Sequence, residues 1–561
     1  MEYIIFGGVI CVFLIVYVVR CILEEKRRKK RFRQSLYEDY GKVSDKKYPQ
    51  GRIFTIDSHY RKKMKAEKPA FSVDDITWND LDMERLFMRM DYTFSAAGEE
   101  MLYTLLRCPC TEEKELLRRE KLIKYFMEHE DERVRLQLLY AQIGRTGKYS
   151  IHEYLDYLSN LGERKNTRHY VVLAMMAVAL IGCIWDAGIG FFAFAVLLSY
   201  NFVTYFKEKS DMDPYITSFA YILRVLEMES RFSACKIDVI SDMVTDMDNR
   251  RKKFKRFSRF SSLFMSQGTM SGNPLDIVFD YLCMGLHLNL IKFNTMLAEA
   301  NRYKEDIIFI IETMGYIESM ISTGAYRASL SQYCVPDFSA QEKEMSAEEI
   351  YHPLLEKPVS NSFEIKRGML LTGSNASGKS TFLKTVALAQ IMAQSLHTVC
   401  ASGYKTGFYR MYTSMALRDD MKSGESYFIV EIKALKRIIN ASSEDGPAVL
   451  CFVDEVLRGT NTVERIAAAS QILEQMTHRG IFCFAATHDM ELTSLLQQDY
   501  LNFHFEEIIL ENDVCFHYLL KEGRATSRNA IRLLAMLGYD EEIIKRAEQK
   551  ANTFINTGEW K

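Results

Sequence analysis

The sequence predicts a C-terminal α/β domain built on a parallel sheet, preceded by a long all-α region that carries membrane-spanning helices. After about residue 345, short apolar runs alternate with helical stretches, which is typical of buried parallel strands. Residues 74–165 and 207–340 are rich in Leu, Met, Glu, Lys and Arg at helical spacing, with few Pro or Gly. Two long runs, Tyr3–Val19 and Tyr170–Phe206, are almost free of charge.

The overall composition excludes several classes of protein. A chain of 561 residues with 48% hydrophobic residues can form several domains, which excludes a small disulfide-stapled or disordered protein. The 72 Lys and Arg nearly balance the 74 Asp and Glu, so net charge indicates no partner. Cys108 and Cys110 form the only close cysteine pair of note, without the spacing of a zinc or thioredoxin-type motif, so we expect reduced cysteines in a reducing compartment.

Residues 1–23 are predicted to form a transmembrane anchor. The apolar run is followed by Lys26–Arg33, in which every residue except Phe32 is basic. By the positive-inside bias, this order places the N-terminus outside and the rest of the chain in the cytoplasm. A cleaved signal peptide has the opposite charge order, so we expect the anchor to be retained. Residues 24–70 read as a basic juxtamembrane linker that favours anionic lipid.

Residues 170–206 are predicted to form a transmembrane hairpin. The single charge, Asp186, lies in a turn-like segment, and Lys and Arg flank both ends of the run but are absent from the turn. A re-entrant hairpin and a buried hairpin of a soluble core are the alternatives. With the anchor, the hairpin predicts a multi-pass protein of the cell membrane (inner or plasma membrane) whose C-terminal domain is cytoplasmic. The hairpin separates helical segments 71–169 and 207–343.

A phosphate-binding loop is predicted directly after an apolar strand that ends at Thr372. The segment Gly373–Ser380 fits the pattern GxxxxGK[ST] and opens a helix. In such a loop, backbone N–H groups face the phosphates, Lys379 reaches the β and γ oxygens, and the Ser380 hydroxyl ligates Mg²⁺. The predicted binding residues are Gly373, Ser374, Asn375, Ala376, Ser377, Gly378, Lys379, Ser380 and Thr381.

Two further strand ends supply groups that a hydrolase of this type needs. The apolar run Ala448–Val453 ends in Asp454 and Glu455, where Asp454 is predicted to hold Mg²⁺ with Ser380 and Glu455 to activate water. The run Ile481–Thr487 ends at His488, which can sense the γ-phosphate by a hydrogen bond. Carboxyl ends of parallel strands meet at one sheet edge, so Lys379, Glu455 and His488 are the predicted catalytic residues.

These motifs resemble those of the MutS family of mismatch-repair ATPases. The matching segments are GSNASGKST (373–381), similar to GPNMGGKST; DEVLRGTN (454–461), similar to DEIGRGTS; ATHDMEL (486–492), similar to ATHYFEL; SYFIVE (426–431), similar to STFMVE; HPLL (352–355); and the tail from Ser527 to Lys550. Weaker similarity covers residues 75–109 and about 275–340, which resemble the helical core and lever of the family.

The resemblance implies a P-loop ATPase domain over 344–525 and a helix-turn-helix dimerisation tail over 526–561. It also implies a homodimer that binds ATP and Mg²⁺, with Ser426 offered to the nucleotide of the partner, and helical levers that open and close with hydrolysis. Mismatched or branched DNA is the ligand implied by the family. The sequence departs from the family because it leaves no room for the N-terminal mismatch-reading domain and stops without a nuclease module.

Three alternatives for function remain open at this point. The first is an ATPase that acts on mismatched or branched DNA at the membrane. The second is an ATP-driven switch or scaffold for a membrane protein partner, without DNA. The third, a transporter, is disfavoured because an LSGGQ-type signature is absent. The basic and aromatic run 250–260 is interpreted as a DNA contact, a lipid contact or a solvated helix face.

Overall fold

The computed structural model of the chain divides into two compact units. The first comprises Met1–Glu67, Met90–Thr104 and Lys121–Ser329, and the second Lys68–Arg89, Leu105–Glu120 and Leu330–Lys561. The structure describes residues 2–44, 46, 48–49, 51–66, 69, 71–146, 150–254, 281–374, 377–415, 427–458, 460–509, 514–525, 531, 534 and 538–557.

The chain up to residue 329 is helical wherever the structure assigns regular secondary structure. The helices are α1 (Glu2–Glu38), α2 (Arg52–Ala66), α3 (Asp75–Asp80), α4 (Met83–Met90), α5 (Ala96–Arg107), α6 (Glu113–Glu128), α7 (Glu130–Ile143), α8 (Ile151–Asn160), α9 (Thr167–Gly182), α10 (Ala187–Ala234), α11 (Ser241–Arg251), α12 (Leu288–Arg302) and α13 (Lys304–Ser329). Short 3₁₀ turns occupy Asp238–Ile240 and Lys252–Phe254. This all-α character agrees with the helical spacing of the sequence.

Helices α9 and α10 form the hairpin predicted from the apolar run 170–206. Among the described residues, the segment Ala187–Ser210 of α10 is long and apolar enough to cross a bilayer, whereas α9 is apolar but shorter. Apolar side chains near the turn are exposed, including Ile184 (80%), Trp185 (83%) and Ile189 (71%). Asp186 accepts hydrogen bonds from the N–H groups of Gly188 (2.8 Å) and Ile189 (3.0 Å), so this charge is a helix cap.

The helix that follows the turn joins the second arm of the hairpin to the helical segment predicted from residue 207. Helix α10 runs without interruption to Ala234, whereas the apolar pattern ends at residue 206. The predicted anchor, residues 1–23, lies within α1, and most of its side chains lie outside the described part of the chain. The membrane assignment of both segments stays a prediction.

Helix α13 forms the centre of the first unit. Gly315 lies so close to α5 that a Cβ there would be 2.4 Å from the Ala97 carbonyl oxygen. The Tyr140 hydroxyl donates to the Met314 carbonyl oxygen (2.7 Å). The buried Glu318 carboxyl accepts hydrogen bonds from the N–H of Phe94 (2.6 Å) and is also the acceptor for the Ser95 hydroxyl. The buried Glu318 carboxyl therefore accepts the hydrogen bonds of polar groups in the segment that precedes α5.

The described part of the basic and aromatic run, Arg250–Phe254, packs within the first unit. Arg250 and Lys253 both form ion pairs with Asp306, at 2.9 Å and 2.8 Å. Arg251 pairs with Glu229, and the Phe254 ring is buried against Tyr303. The side chains of Arg250, Lys252 and Lys253 are nevertheless 38%, 57% and 47% exposed, so the three interpretations of the run stay predictions. Residues 255–260 lie outside the described part.

The second unit is built on a six-stranded sheet with the order β5-β6-β7-β3-β8-β9. Neighbouring strands are parallel from β5 to β8, and β9 pairs with β8 in the antiparallel direction. The strands are β3 (Gly368–Thr372), β5 (Arg410–Ser414), β6 (Val449–Asp454), β7 (Phe482–Thr487), β8 (Tyr500–Ile509) and β9 (Val514–Glu522). The three strands predicted from apolar runs, β3, β6 and β7, are confirmed.

A smaller antiparallel sheet and further helices complete the second unit. The order of this sheet is β2-β1-β4, with β1 (Met345–Ile350), β2 (Asn361–Ile365) and β4 (Gly403–Lys405). The helices are α14 (Lys379–Leu396), α15 (Tyr427–Ala441), α16 (Thr462–His478), α17 (Met490–Leu495) and α18 (Glu541–Thr557). The sequence interpretation did not include the smaller sheet. Helix α18 lies in the predicted dimerisation tail.

Part of the segment predicted as one helical core, 71–169, belongs to the second unit. The Asp80 carboxylate accepts hydrogen bonds from the Thr413 hydroxyl (2.7 Å) and the Met415 N–H (3.0 Å). Arg437 forms an ion pair with Asp74 at 2.8 Å. Polar contacts therefore fix α3 beside the edge strand β5 of the large sheet.

Glu318 makes the stability of the first unit depend on pH. Burial raises the pKa of Glu318 from 4.5 to about 7. Because the folded state holds the proton more tightly than the unfolded state, the free energy of unfolding falls as pH rises from 4.5 to 7. Glu318→Gln keeps the hydrogen-bond acceptor and removes the ionisation. The free energy of unfolding of this variant, relative to that of the wild type, should therefore rise by about 3 kcal/mol between pH 4.5 and pH 7.

Urea unfolding of the detergent-solubilised protein at pH 5 and pH 8 measures this difference. Glu163→Gln, which changes an exposed carboxylate of the same unit, is the matched control and should track the wild type at both pH values. An equal stability difference between wild type and Glu318→Gln at the two pH values would contradict the assignment.

Candidate functional site

The three predicted motifs meet at one edge of the large sheet. Strands β6, β7 and β3 are neighbours, so their carboxyl ends lie side by side. Thr372, before the predicted phosphate loop, pairs with Thr487, before His488. Asp454 pairs with Ala486 on the same strand as Thr487. The register therefore brings the loop, the two carboxylates and the imidazole to one level of the sheet, as predicted.

The loop after β3 has two glycines that the backbone requires. Gly373 has φ 148° and Gly378 has φ 106°, values that favour glycine. A Cβ at Gly373 would also be 2.8 Å from the Phe505 carbonyl oxygen. Lys379 begins α14, and its buried ammonium donates to the carbonyl oxygens of Gly373 (2.9 Å) and Ser374 (2.8 Å). Asn375 and Ala376, two predicted binding residues, lie outside the described part.

Asp454 and Ser380 face each other across the start of α14. Burial raises the pKa of Asp454 above its usual value, and the nearby Ser380 hydroxyl acts in the opposite direction. Within the described part of the chain, the buried Oδ1 of Asp454 has no hydrogen-bond partner. A carboxylate and a hydroxyl with a spare buried oxygen form the kind of donor set that Mg²⁺ takes, so these residues fit the predicted metal.

Glu455 and His488 are in direct contact, which the sequence did not predict. The Nε2 atom of His488 lies 2.8 Å from Oε1 of Glu455 and 3.3 Å from Nζ of Lys379. The other carboxylate oxygen of Glu455 pairs with Nε of Arg458 at 3.0 Å. The three predicted catalytic residues are therefore contiguous, with His488 between the carboxylate and the ammonium.

The turn that carries Glu455 is held in an unfavourable backbone conformation. Glu455 has φ 54° and Leu457 has φ 58°, which are uncommon for residues with side chains. The Glu455 N–H donates to the Ala486 carbonyl oxygen (2.9 Å), and the Leu457 N–H donates to Oε1 of the buried Glu431. Such conformations persist where the surroundings determine them, and they cluster at functional sites.

Glu431 is the positioning residue that sequence reasoning missed. It was noted only as the last residue of the segment 426–431, whose functional residue was expected to be Ser426. The available signal was a single acidic residue in the apolar run Tyr427–Ile432. Ser426 itself lies outside the described part of the chain, so its role stays a prediction.

A second ion pair fixes the residue that follows His488. Both oxygens of Asp489 accept hydrogen bonds from the guanidinium of Arg465, at 2.6 Å and 2.9 Å. Arg465 lies on α16, and the side chain of Asn461 caps this helix by accepting a hydrogen bond from Val463 N–H. Bidentate pairs of this kind restrict orientation, so the chain on both sides of the site is fixed.

A cleft with a volume of 430 Å³ opens beside the loop. Residues 377–381 and Glu455 line one side of the cleft, and His352, Leu355 and Tyr518 line the other. Tyr518 lies against Gly378, where a Cβ would be 3.0 Å from its ring. Burial lowers the pKa of His352 to about 4, so its imidazole is neutral. Polar groups of the loop and apolar and aromatic side chains therefore both line the cleft.

The Asn361 amide positions the strand that carries Tyr518. Its Nδ2 donates to the Tyr518 carbonyl oxygen (3.0 Å), and its Oδ1 accepts from Leu520 N–H (2.7 Å). These two bonds join β2 to β9 and hold Tyr518 over the loop. This aromatic wall, contributed by β9, was also missed by the sequence interpretation.

Comparison with known proteins agrees with this arrangement. Residues 369–555 match the family model for MutS domain V. The C-terminal part of the chain is therefore similar to MutS domain V. The chain is also 32% identical over 266 residues to a protein named DNA mismatch repair protein MutS from Thermotoga petrophila, which covers 46% of this chain and 33% of that protein.

Other MutS relatives show a similar extent of match. MutS protein homolog 4 from Homo sapiens is 28% identical over 261 residues, which covers 43% of this chain and 27% of that protein. DNA mismatch repair protein MutS from Streptococcus uberis is 31% identical over 237 residues, which covers 40% of this chain and 28% of that protein. The chain therefore spans about a third of the length of the curated MutS relatives it matches.

Glu431→Ala should release the turn that carries Glu455. The substitution leaves the buried Leu457 N–H without its acceptor, which costs about 1–3 kcal/mol locally. Hydrogen exchange measured by mass spectrometry on peptides covering 452–458 should show faster exchange than in the wild type. Asp445→Ala, which removes an exposed carboxylate that follows α15, is the control. Unchanged protection of Leu457 in Glu431→Ala would contradict the positioning role.

Proposed function

We propose that the MutS-family domain binds ATP with Mg²⁺ in the 430 Å³ cleft and hydrolyses it. The observation that carries this proposal is the convergence of Lys379, Glu455 and His488 at the ends of three adjacent strands. These groups are a cation for phosphate oxygens, a carboxylate for water and a hydrogen-bonding imidazole. The match of residues 369–555 to the family model for MutS domain V supports the resemblance on which this proposal draws.

Phosphate binding would use the loop and the N-terminus of α14. The backbone N–H groups at the start of α14 and the partial positive charge of the helix end favour an anion. The Lys379 ammonium, which donates to the carbonyl oxygens of Gly373 and Ser374, lies where phosphate oxygens would become its acceptors. The loop and the helix end thus supply backbone N–H dipoles, and Lys379 supplies a positive charge.

Ser380 and Asp454 would hold the magnesium ion. When bound, Mg²⁺ neutralises negative charge on the phosphate oxygens. The Ser380 hydroxyl lies close enough to the Asp454 carboxylate to lower its pKa, so the two oxygen donors are already near each other. The spare buried Oδ1 of Asp454 provides the second reason for this assignment.

Glu455 would orient and polarise the attacking water. Its turn is fixed by Glu431 and by the pairing of its N–H with Ala486, so its carboxylate is positioned before substrate binds. His488 contacts both Glu455 and Lys379. Its imidazole would therefore link the Glu455 carboxylate to the lysine that binds the phosphate oxygens. The wall of His352, Leu355 and Tyr518 would accept the base of the nucleotide.

The wider assembly is proposed on the family resemblance. The protein would act as a homodimer in which Ser426 reaches the nucleotide of the partner, and hydrolysis would open and close the helical levers. The relatives are named for DNA mismatch repair, which supports mismatched or branched DNA as the ligand. The exposed apolar hairpin supports a membrane location, with lipid around α9 and α10 and the ATPase domain in the cytoplasm.

The exposed hairpin also favours a second candidate function. An ATP-driven switch for a membrane protein partner would use the same site without DNA, and its partner would contact the apolar surface at Trp185 and Ile189. The ion pairs of Arg250 and Lys253 with Asp306 offset part of the positive charge of this run, which weakens the argument for it as a DNA contact. The two candidates therefore differ in whether DNA changes turnover.

Glu455→Gln should retain ATP binding and lose turnover. The amide keeps the size of the side chain but cannot act as a base, so the rate should fall by about 10²–10⁴-fold. Binding is measured with a fluorescent ATP analogue and turnover by phosphate release. Glu474→Gln, an exposed carboxylate farther along α16, should behave like the wild type. Turnover close to wild type in Glu455→Gln would remove Glu455 from its assigned role.

Turnover in the presence of DNA separates the two candidate functions. The detergent-solubilised protein is assayed with duplex, mismatched and branched DNA at low and moderate salt, with Lys379→Ala as the blank. We expect mismatched or branched DNA to stimulate turnover. Stimulation that persists at moderate salt would indicate binding that is more than electrostatic, because a purely electrostatic contact weakens as salt rises. Turnover that no DNA changes would contradict the DNA proposal and favour the switch.

A further inference from the structure

Three potential metal ligands converge in the first unit, far from the cleft of the MutS-family domain in sequence. His59 lies on α2, His152 on α8 and Glu312 on α13. One ligand atom from each lies within 4.8 Å of the other two. The Nε2 atom of His59 is 3.6 Å from Oε1 of Glu312, and the two imidazole centroids are 4.4 Å apart.

The two histidines have nitrogens that hydrogen bonding does not account for. His59 is 3% exposed, and within the described part of the chain neither of its ring nitrogens has a hydrogen-bond partner. The buried Nε2 of His152 likewise has none among these residues. The 3.6 Å separation of His59 from Glu312 is too long for a hydrogen bond. Buried polar atoms are nearly always satisfied, so three unsatisfied nitrogens at one point indicate a ligand.

We propose that His59, His152 and Glu312 bind a divalent transition-metal ion of the zinc class. Two imidazole nitrogens and one carboxylate oxygen suit Zn²⁺ and its neighbours, whereas Mg²⁺ and Ca²⁺ prefer oxygen ligands. Ligand bonds of about 2.0–2.2 Å put tetrahedral ligand atoms about 3.3–3.5 Å apart. The 4.8 Å limit therefore requires a closure of about 1.5 Å at most, within the reach of side-chain rotation.

The site opens into a cleft of the same unit, with a volume of 640 Å³. Five basic residues line this cleft, Lys62, Lys63, Lys65, Arg250 and Lys304, together with the acidic residues Asp156, Glu305 and Glu312. Asp156 pairs with Lys62 (2.5 Å) and Lys304 (2.9 Å), and Arg250 pairs with Asp306, so part of the positive charge is neutralised. A metal ion held by three protein ligands keeps a fourth position, and the net positive charge of this lining favours an anionic or hydroxide ligand there.

Metal binding would tie three helices that are distant in sequence. Helices α2, α8 and α13 each contribute one ligand, so the ion would link the segment before α3 to the central helix of the first unit. This role is independent of nucleotide hydrolysis, and its failure would leave the proposed function untouched. The expected signature is a metal-dependent gain in the stability of the first unit.

Metal titration of the full chain tests the proposal. The protein is purified in detergent without a histidine tag, treated with a chelator and titrated with Co²⁺ and then Zn²⁺, with elemental analysis for stoichiometry. We expect one tightly held Zn²⁺ per chain and a Co²⁺ spectrum without thiolate charge-transfer bands, which excludes the cysteines as ligands. His59→Gln, His152→Gln and Glu312→Ala should each weaken binding by at least about 10–100-fold.

Two controls keep this test interpretable. His478→Gln changes an exposed histidine of the second unit and should bind Zn²⁺ like the wild type. Glu312 is 31% exposed, so Glu312→Ala should fold, and thermal unfolding with and without Zn²⁺ should show a shift in the wild type that this variant loses. Equal Zn²⁺ binding by the wild type and Glu312→Ala would overturn the proposal. Stabilisation by inorganic phosphate but not by Zn²⁺ would also overturn it, because the cleft would then be an anion site.

Discussion

The parallel pairing of β6, β7 and β3 is the constraint on which the candidate site depends. The candidate site residues follow the carboxyl end of each strand, so only a register that aligns these ends can bring their side chains together. Leu370, Cys451, Val453, Cys483 and Ala485 fix that register because they are fully buried in the core of the second unit. A parallel sheet covered on both faces has no room for polar residues until the strands end.

Strain in the turn after β6 adds a second level of positioning. A carboxylate that must act on water has to be held before substrate arrives, and the left-handed conformations of Glu455 and Leu457 are stable only with external support. Glu431 on α15 and Ala486 on β7 provide that support from two different elements. The turn that carries Glu455 is therefore fixed by its surroundings, whereas the Lys379 ammonium donates to carbonyl oxygens of its own loop.

Local patterns predicted β3, β6 and β7 and the meeting of the three motifs at one sheet edge because each motif is continuous in sequence. The loop 373–381 follows an apolar run, and its glycines and lysine are recognisable without neighbours. Contacts between distant segments were not predictable in this way. Asp80 binding to Thr413, the ion pairs of Arg250 and Lys253 with Asp306, and the meeting of His59 with His152 all need the tertiary structure. The roles of all the predicted site residues stay predictions, and Ser426, Asn375 and Ala376 also lie outside the described part of the chain.

Equilibrium binding of ATP with Mg²⁺ tests the central claim, that the converging strand ends form a nucleotide site. Calorimetric titration of Lys379→Ala is compared with Lys384→Ala, which removes a lysine from the next turns of the same helix without touching the loop. The account predicts that Lys379→Ala loses binding by at least about 10-fold while Lys384→Ala binds like the wild type. Undiminished binding by Lys379→Ala would contradict it.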